Sequence, residues 1–150
     1  MARMGVTATK GASNVLGILY LNAAAASPRR AKILDVSMGF TGTPADAAFT
    51  WQFQRCTTAP TATALTPNAL DPADSLASTI VANNLVTVDG TLTASATPYG
   101  VALNQRNSFR WVAVPGAEVL IPATASNGIM VGLSAASTVT AAAGAIFEEL

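Results

Sequence analysis

The 150-residue chain has no histidine and a single cysteine, Cys56. Without histidine the commonest general base and metal ligand is missing, no Ser-His-Asp arrangement can be assembled, and Cys56 has no imidazole to activate it. One thiol also excludes an intrachain disulfide. Charge is scarce: only 11% of residues are charged, against roughly 25% in an ordinary soluble domain. Eight cations balance eight anions. Near-zero net charge promotes association, so the chain reads as a subunit that expects neighbours. A basic face able to neutralise phosphates is lacking, which argues against a nucleic-acid partner. The local cluster Arg29, Arg30 and Lys32 reads as a solvated turn beside a strand. No apolar run approaches the roughly 18 residues of a transmembrane helix, and no membrane partner is expected. Aromatics make up 6% of the chain, and alanine dominates the hydrophobic half. The core must therefore be built largely from small and β-branched side chains.

The remaining residues read as strand and turn, and no internal repeat is visible. In "AAFTWQF", Phe49, Trp51 and Phe53 alternate with Thr50 and Gln52, which gives one buried face and one wet face. "KILDVSMGF" alternates as well, placing Leu34, Val36, Met38 and Phe40 against Ile33, Asp35, Ser37 and Gly39. In "NLVTVDGTLTASA", Asp89-Gly90 separates two alternating runs and predicts a two-residue hairpin. Further strands are expected at 14–22, 107–114, 118–121, 127–135 and 138–148, with Pro115-Gly116 and Asn127-Gly128 as breaks. Ile129, Val131 and Leu133 share one face of their strand. Gly128 and Gly132 on the other predict a close neighbour or a bend. The fold class is all-β: an antiparallel, jelly-roll-like sandwich of about eight strands with an extended N-terminal segment.

Residues 57–77 are rich in Thr, Pro and Ala. Pro60, Pro67 and Pro72 forbid a central strand there and predict an extended loop, while Asp71 and Pro72 suit the start of a short helical turn. The first 27 residues imitate a secretory signal, but the apolar run is barely seven residues and Gly17 interrupts it. The expected division is an N-terminal arm and first strand over 1–30, then the sandwich domain over 31–150.

Few side chains could carry chemistry. The carboxylates are Asp35, Asp46, Asp71, Asp74, Asp89, Glu118, Glu148 and Glu149. Asp46, Asp71 and Asp89 stand where aspartate is good turn chemistry, although a glycosidase-like pair is open on sequence alone. Asp71 and Asp74 could join carbonyl oxygens around calcium, but a helix cap explains the same letters better. Cys56, opposite in parity to Phe53 and Arg55, is expected on the more polar face as a bland small residue. Trp51 and Trp111 fit core packing, whereas Tyr99 in "TPYG" is expected as an exposed turn residue open to a ligand. No catalytic, metal or cofactor site is expected, and no small-molecule substrate.

Several stretches together resemble the small jelly-roll decoration or cement proteins of tailed bacteriophages. They are "FQRCTT" followed by the Thr/Pro loop, "LTPNALDPADSLAS", "SFRWVAVPGAEVLIP", "GIMVGLSAAS" and "GAIFEEL". The likeness runs from about residue 31 to the C-terminus and is one of order and texture. "GFTGTPADAAFT" and the Thr/Pro loop depart from the more acidic first sheet and Gly/Ser loop of that pattern, so no capsid-contact residue transfers. The resemblance implies a homotrimer on the capsid surface of a virion, bound to the major capsid protein. The seat is expected to be the N-terminal segment, through Arg3, Met4 and Lys10 with Arg29 and Arg30 nearby, together with the long Thr/Pro loop 57–77. Two other classes stay open: a carbohydrate- or receptor-binding module of a phage tail or surface structure, and a self-assembling coat or filament subunit.

Overall fold

The structure, a computed structural model, describes residues 2–74 and 77–150. Its strands are β1 (Arg3–Thr9), β2 (Gly17–Ala23), β3 (Ala31–Phe40), β4 (Ala48–Cys56), β5 (Thr61–Leu65), β6 (Asn68–Ala69), β7 (Ile80–Val88), β8 (Tyr99–Asn104), β9 (Phe109–Val112), β10 (Val119–Ile121), β11 (Gly128–Leu133) and β12 (Ala141–Glu149). They form two antiparallel sheets. Sheet A runs β10-β3-β12-β1-β6, with β9 also pairing β3, and sheet B runs β5-β7-β2-β11-β4-β8. Setting β5, β6 and β7 aside leaves β1-β12-β3-β9/β10 facing β2-β11-β4-β8. That interleaving of N- and C-terminal strands is the order of a jelly roll.

Four strands were not foreseen: β1, β5, β6 and β8. Residues 3–9 are not a free arm, because β1 pairs with β12 from Arg3↔Glu148 to Thr9↔Ala142 and meets β6 on its other side. Pairing on both sides holds a segment whose own pattern, "RMGVTAT", is weak. The Thr/Pro stretch is likewise not one extended loop. Pro60 precedes β5, Pro67 separates β5 from β6, and Pro72 follows β6. The chain thus crosses from the edge of sheet B to the edge of sheet A, with each proline in a gap where no ladder donor is needed. The expected helical turn is a tight bend: Asp71 accepts from the Asp74 amide through its carbonyl (3.0 Å) and from the Ala73 amide through Oδ1 (2.9 Å). Ser75 and Leu76, also within that expectation, lie outside the described residues.

The Asp89-Gly90 hairpin is overturned too. Residues after Gly90 pair with the end of β4, the Thr57 amide donating to Thr91 O (2.9 Å) and the Thr93 amide to Arg55 O (2.8 Å). Turn chemistry lost here to a tertiary demand on Asp89, described below.

Both sheets send one face into a common core containing Met4, Ile18, Leu19, Leu21, Ile33, Val36, Trp51, Phe53, Ile121, Ile129, Val131, Leu133 and Phe147. Met4 and Ile18 share it with strands after residue 30, so 1–30 and 31–150 are not separate units. Each large side chain contributes roughly 1.5–3 kcal/mol on burial, an alanine methyl about 0.8. The alanines of β12 (Ala141, Ala143, Ala145) therefore set the spacing between sheets more than they stabilise it. In β3 the foreseen parity holds for Val36 and Met38 but reverses at the start of the strand. There Ile33 is buried and Leu34 only half-buried. The register against β12 jumps from Ile146↔Asp35 to Phe147↔Ile33. Leu34 is the extra residue of this β-bulge, which inverts the alternation. The foreseen β11 face holds: Ile129, Val131 and Leu133 are buried. Gly128 and Gly132 are close approaches, where a Cβ would stand 2.0 Å from Leu21 O and 2.2 Å from Leu16 O respectively.

Candidate functional site

The outer face of sheet B is covered by its own chain. Tyr20, Cys56, Val86 and Met130 form a second small core there with Val15, closed over by Ala12, Leu16 and Leu92. Cys56 is thus buried in apolar company rather than on a polar face, its Sγ 3.3 Å from the Asn22 amide nitrogen. Burial pushes its thiol pKa up, against reactivity. Asp89 pins the cover in place. Its carboxylate accepts from the Leu16 amide (2.7 Å), the Gly17 amide (2.9 Å) and the Tyr20 hydroxyl (2.9 Å). The Tyr20 hydroxyl in turn accepts from the Gly90 amide at 3.2 Å. Burial first, then the Asp89 charge, raises the Tyr20 pKa.

Other acids are also committed to structure. Buried Glu149 accepts from the Thr79 amide (2.8 Å), the Thr79 hydroxyl (2.9 Å), the Ile80 amide (3.2 Å) and the Ser78 hydroxyl, and so ties β12 to the start of β7. Glu148 lies between Arg3 (3.7 Å) and Lys32 (3.8 Å). Asp46 accepts from the Asn104 amide group at 2.6 Å. Among the described residues no three His, Cys, Asp or Glu side chains gather as a metal would require. Sequence reasoning treated Asp89 as a turn residue and missed Glu149, because their partners lie 69 to 73 positions away along the chain.

The expected contact residues are scattered by the fold. Arg3, Arg29 and Arg30 are exposed. Met4 is buried in the main core and cannot touch a partner. Lys10 is buried as well: its Nζ donates to Ala12 O (2.8 Å) and Val15 O (3.4 Å), and desolvation lowers its pKa although the Asp89 charge opposes this. Tyr99 is half-buried in β8 rather than exposed in a turn. It packs against Phe53 (5.3 Å between ring centroids), Trp111 (5.8 Å) and, stacked, Phe109 (6.5 Å). Trp51 is fully buried and Trp111 partly so, both against the core as expected.

The outer face of sheet A is open and carries a trough of about 610 Å³. Registers Ser37↔Gly144 and Gly144↔Thr7 place small residues across its floor, with Gly5 one step along. One wall is the ion pair of Arg110 and Asp35, in which Arg110 Nε reaches Oδ2 at 2.8 Å and Oδ1 at 3.1 Å and Nη2 also bonds Oδ2. The opposite wall is the Leu65–Leu70 segment, with Thr66 and Asn68. Among the described residues Asp35 is the one carboxylate in the lining, and it is paired. A glycosidase-type mechanism needs two carboxyl groups about 5–9.5 Å apart, so the trough offers shape and hydrogen bonds without an acid-base pair.

Fold and surfaces together define an antiparallel jelly-roll sandwich with one covered and one open outer face. No family model matches the chain, and no curated protein matches it. Among solved structures it is similar to a carbohydrate binding module from the glycoside hydrolase family 9 protein Cel9A of Ruminococcus flavefaciens FD-1. The two share 10% identity and a TM-score of 0.40 over 99% of each chain. At that level no ligand or partner transfers to this chain.

Proposed function

We propose that the chain is a non-catalytic structural subunit of a tailed-phage virion, a cement protein that binds the major capsid protein as a homotrimer on the capsid surface. The observation that carries this is the commitment of its polar groups: Asp89 and Glu149 hold backbone, Asp35 and Glu148 hold cations, and the lone thiol is buried. What the molecule presents is surface, and cementing needs buried area and shape rather than reactive groups. With β1 built into sheet A, the seat on the shell is not a free N-terminal arm. Arg29 lines a pocket of about 240 Å³ together with Ala2 and Met4 at the start of β1 and with Ala77 and Thr79. The basic Arg29-Arg30 turn, the start of β1 and the residues that lead into β7 therefore share one end of the sandwich, and this end is the proposed seat.

Quantitative mass spectrometry of purified particles tests the proposal. Hundreds of copies per particle, falling several-fold in an Arg29→Ala/Arg30→Ala variant, are expected. A handful of copies would place the chain in a tail structure, and absence from particles would refute a virion role. The trough favours a second reading, a carbohydrate- or receptor-binding module, because paired Asp35 and Arg110 with Ser37, Thr7 and Asn68 offer both donors and acceptors to a neutral polyhydroxylated chain. In that case glycan-array binding should be present and lost in Arg110→Ala.

A further inference from the structure

Among the described residues, sheet B ends in two edge strands, β5 and β8, whose outer sides meet no further strand. Uncapped edges of this kind are usually protected by charge, proline or a covering segment. Neither is protected by charge: residues 57–70 and 90–105 contain no Asp, Glu, Lys or Arg, and no proline falls within either strand. Both edges border seams that the chain does not fully close. Beside β8, the inward side chains of Tyr99, Val101 and Leu103, and of Phe109 and Trp111 across the sandwich, stay only partly buried. Beside β5, the same holds for Leu65 and Ala69.

Strand direction decides what fits these edges. All five pairings across sheet B are antiparallel, so the first and last of its six strands point in opposite directions. Rotation about an axis parallel to the strands preserves those directions and brings β5 of one copy antiparallel to β8 of the next. The strands match in length, at five and six residues, and no charge opposes the contact. A two-fold pairing of β5 with β5 would leave β8 bare. Only a head-to-tail contact covers both edges with a single interface, and such a contact forms a ring when its rotation closes and an open filament when it does not. We infer that copies of the chain join in this way, β5 against the neighbour's β8. This rests on the homotrimer reading for the number three and is independent of the capsid.

Cysteine pairs test it on the purified full chain. Ala64 and Ala102 are exposed, on edge strands β5 and β8, so substitution there spares the core, and circular dichroism checks the fold. Under mild oxidation, Ala64→Cys/Ala102→Cys should give a covalent ladder ending at three copies, while either single variant stays monomeric on a denaturing gel. Independently, Ala64→Lys/Ala102→Lys should raise the concentration for half-association about tenfold, and Ala64→Lys/Ala102→Glu should restore it, because like charges brought together on neighbouring paired strands repel. A wild-type chain that is monomeric by light scattering overturns the inference, as does a covalent dimer from Ala64→Cys alone. A trimer with neither cross-link nor lysine effect overturns the edge contact and keeps the trimer. A ladder closing at another number keeps the contact and removes the trimer.

Discussion

The two outer faces of the sandwich are built on opposite plans. Over sheet B the chain lays residues 10–16 and 89–92, sealing Tyr20, Cys56, Val86 and Met130 beneath them. Over sheet A none of the described residues crosses the trough, whose floor of Gly5, Thr7, Ser37 and Gly144 is kept low. The covered face spends its polar groups on itself: Asp89 and Lys10 are consumed in holding the cover. The open face keeps hydroxyls and one ion pair at its surface. From this difference, substitutions on the B side should act on stability, and those on the A side on binding alone.

The largest effect should come from Gly11. A Cβ there would stand 2.1 Å from Val86 O and 2.4 Å from Leu85 C, backbone atoms that cannot move aside alone, and the Ala12 amide donates to that same Val86 O at 2.9 Å. Gly11→Ala should lift the cover and lower unfolding free energy by about 3 kcal/mol, measured by urea denaturation. If stability were unchanged, the cover would not be integral to the fold.

Tyr20→Phe should cost less, about 1–2 kcal/mol, since it removes one hydroxyl bonded to Asp89 and to the Gly90 amide. It should also change the response to alkali. The Tyr20 pKa is raised from 10.0 and the Cys56 pKa from 9.0 in the folded chain. Both groups stay protonated when folded but lose their protons when unfolded, so the stability they contribute is complete below about pH 9 and declines as pH rises beyond it. Lys10, with a pKa lowered from 10.5, acts the other way: its folded form sheds the proton first, and stability rises with pH up to that value. Removing the Tyr20 hydroxyl should flatten the decline above pH 10, as read from denaturation midpoints across the alkaline range. An unaltered slope would show that the decline comes from other groups.

The smallest effect belongs to the open face. At Gly144 a Cβ would meet the Ser37 Oγ at 2.9 Å, the tip of a side chain that can rotate, and Val6 O only at 3.5 Å. Gly144→Ala should change stability by less than about 0.5 kcal/mol while making the trough floor shallower. A large loss would erase the contrast between the faces.

Much of the sandwich was legible in local pattern. Phe49, Trp51 and Phe53 point where their alternation says, and so do Ile129, Val131 and Leu133, because a strand buried on one side must alternate. The absence of histidine and the shortage of charge were equally plain, and they narrowed the chemistry before any fold was known. What composition and spacing could not contain were the long-range pairings. Arg3–Thr9 reads as an arm until β12 and β6 flank it, and Asp89-Gly90 reads as a hairpin until the amides of Leu16 and Gly17 claim the carboxylate. Met4 and Lys10 looked like contacts because nothing local says that a core and a loop will close over them. Periodicity is a property of neighbouring residues and survives in the sequence. Burial of a single group depends on which distant strand arrives beside it, and only the tertiary structure decides that.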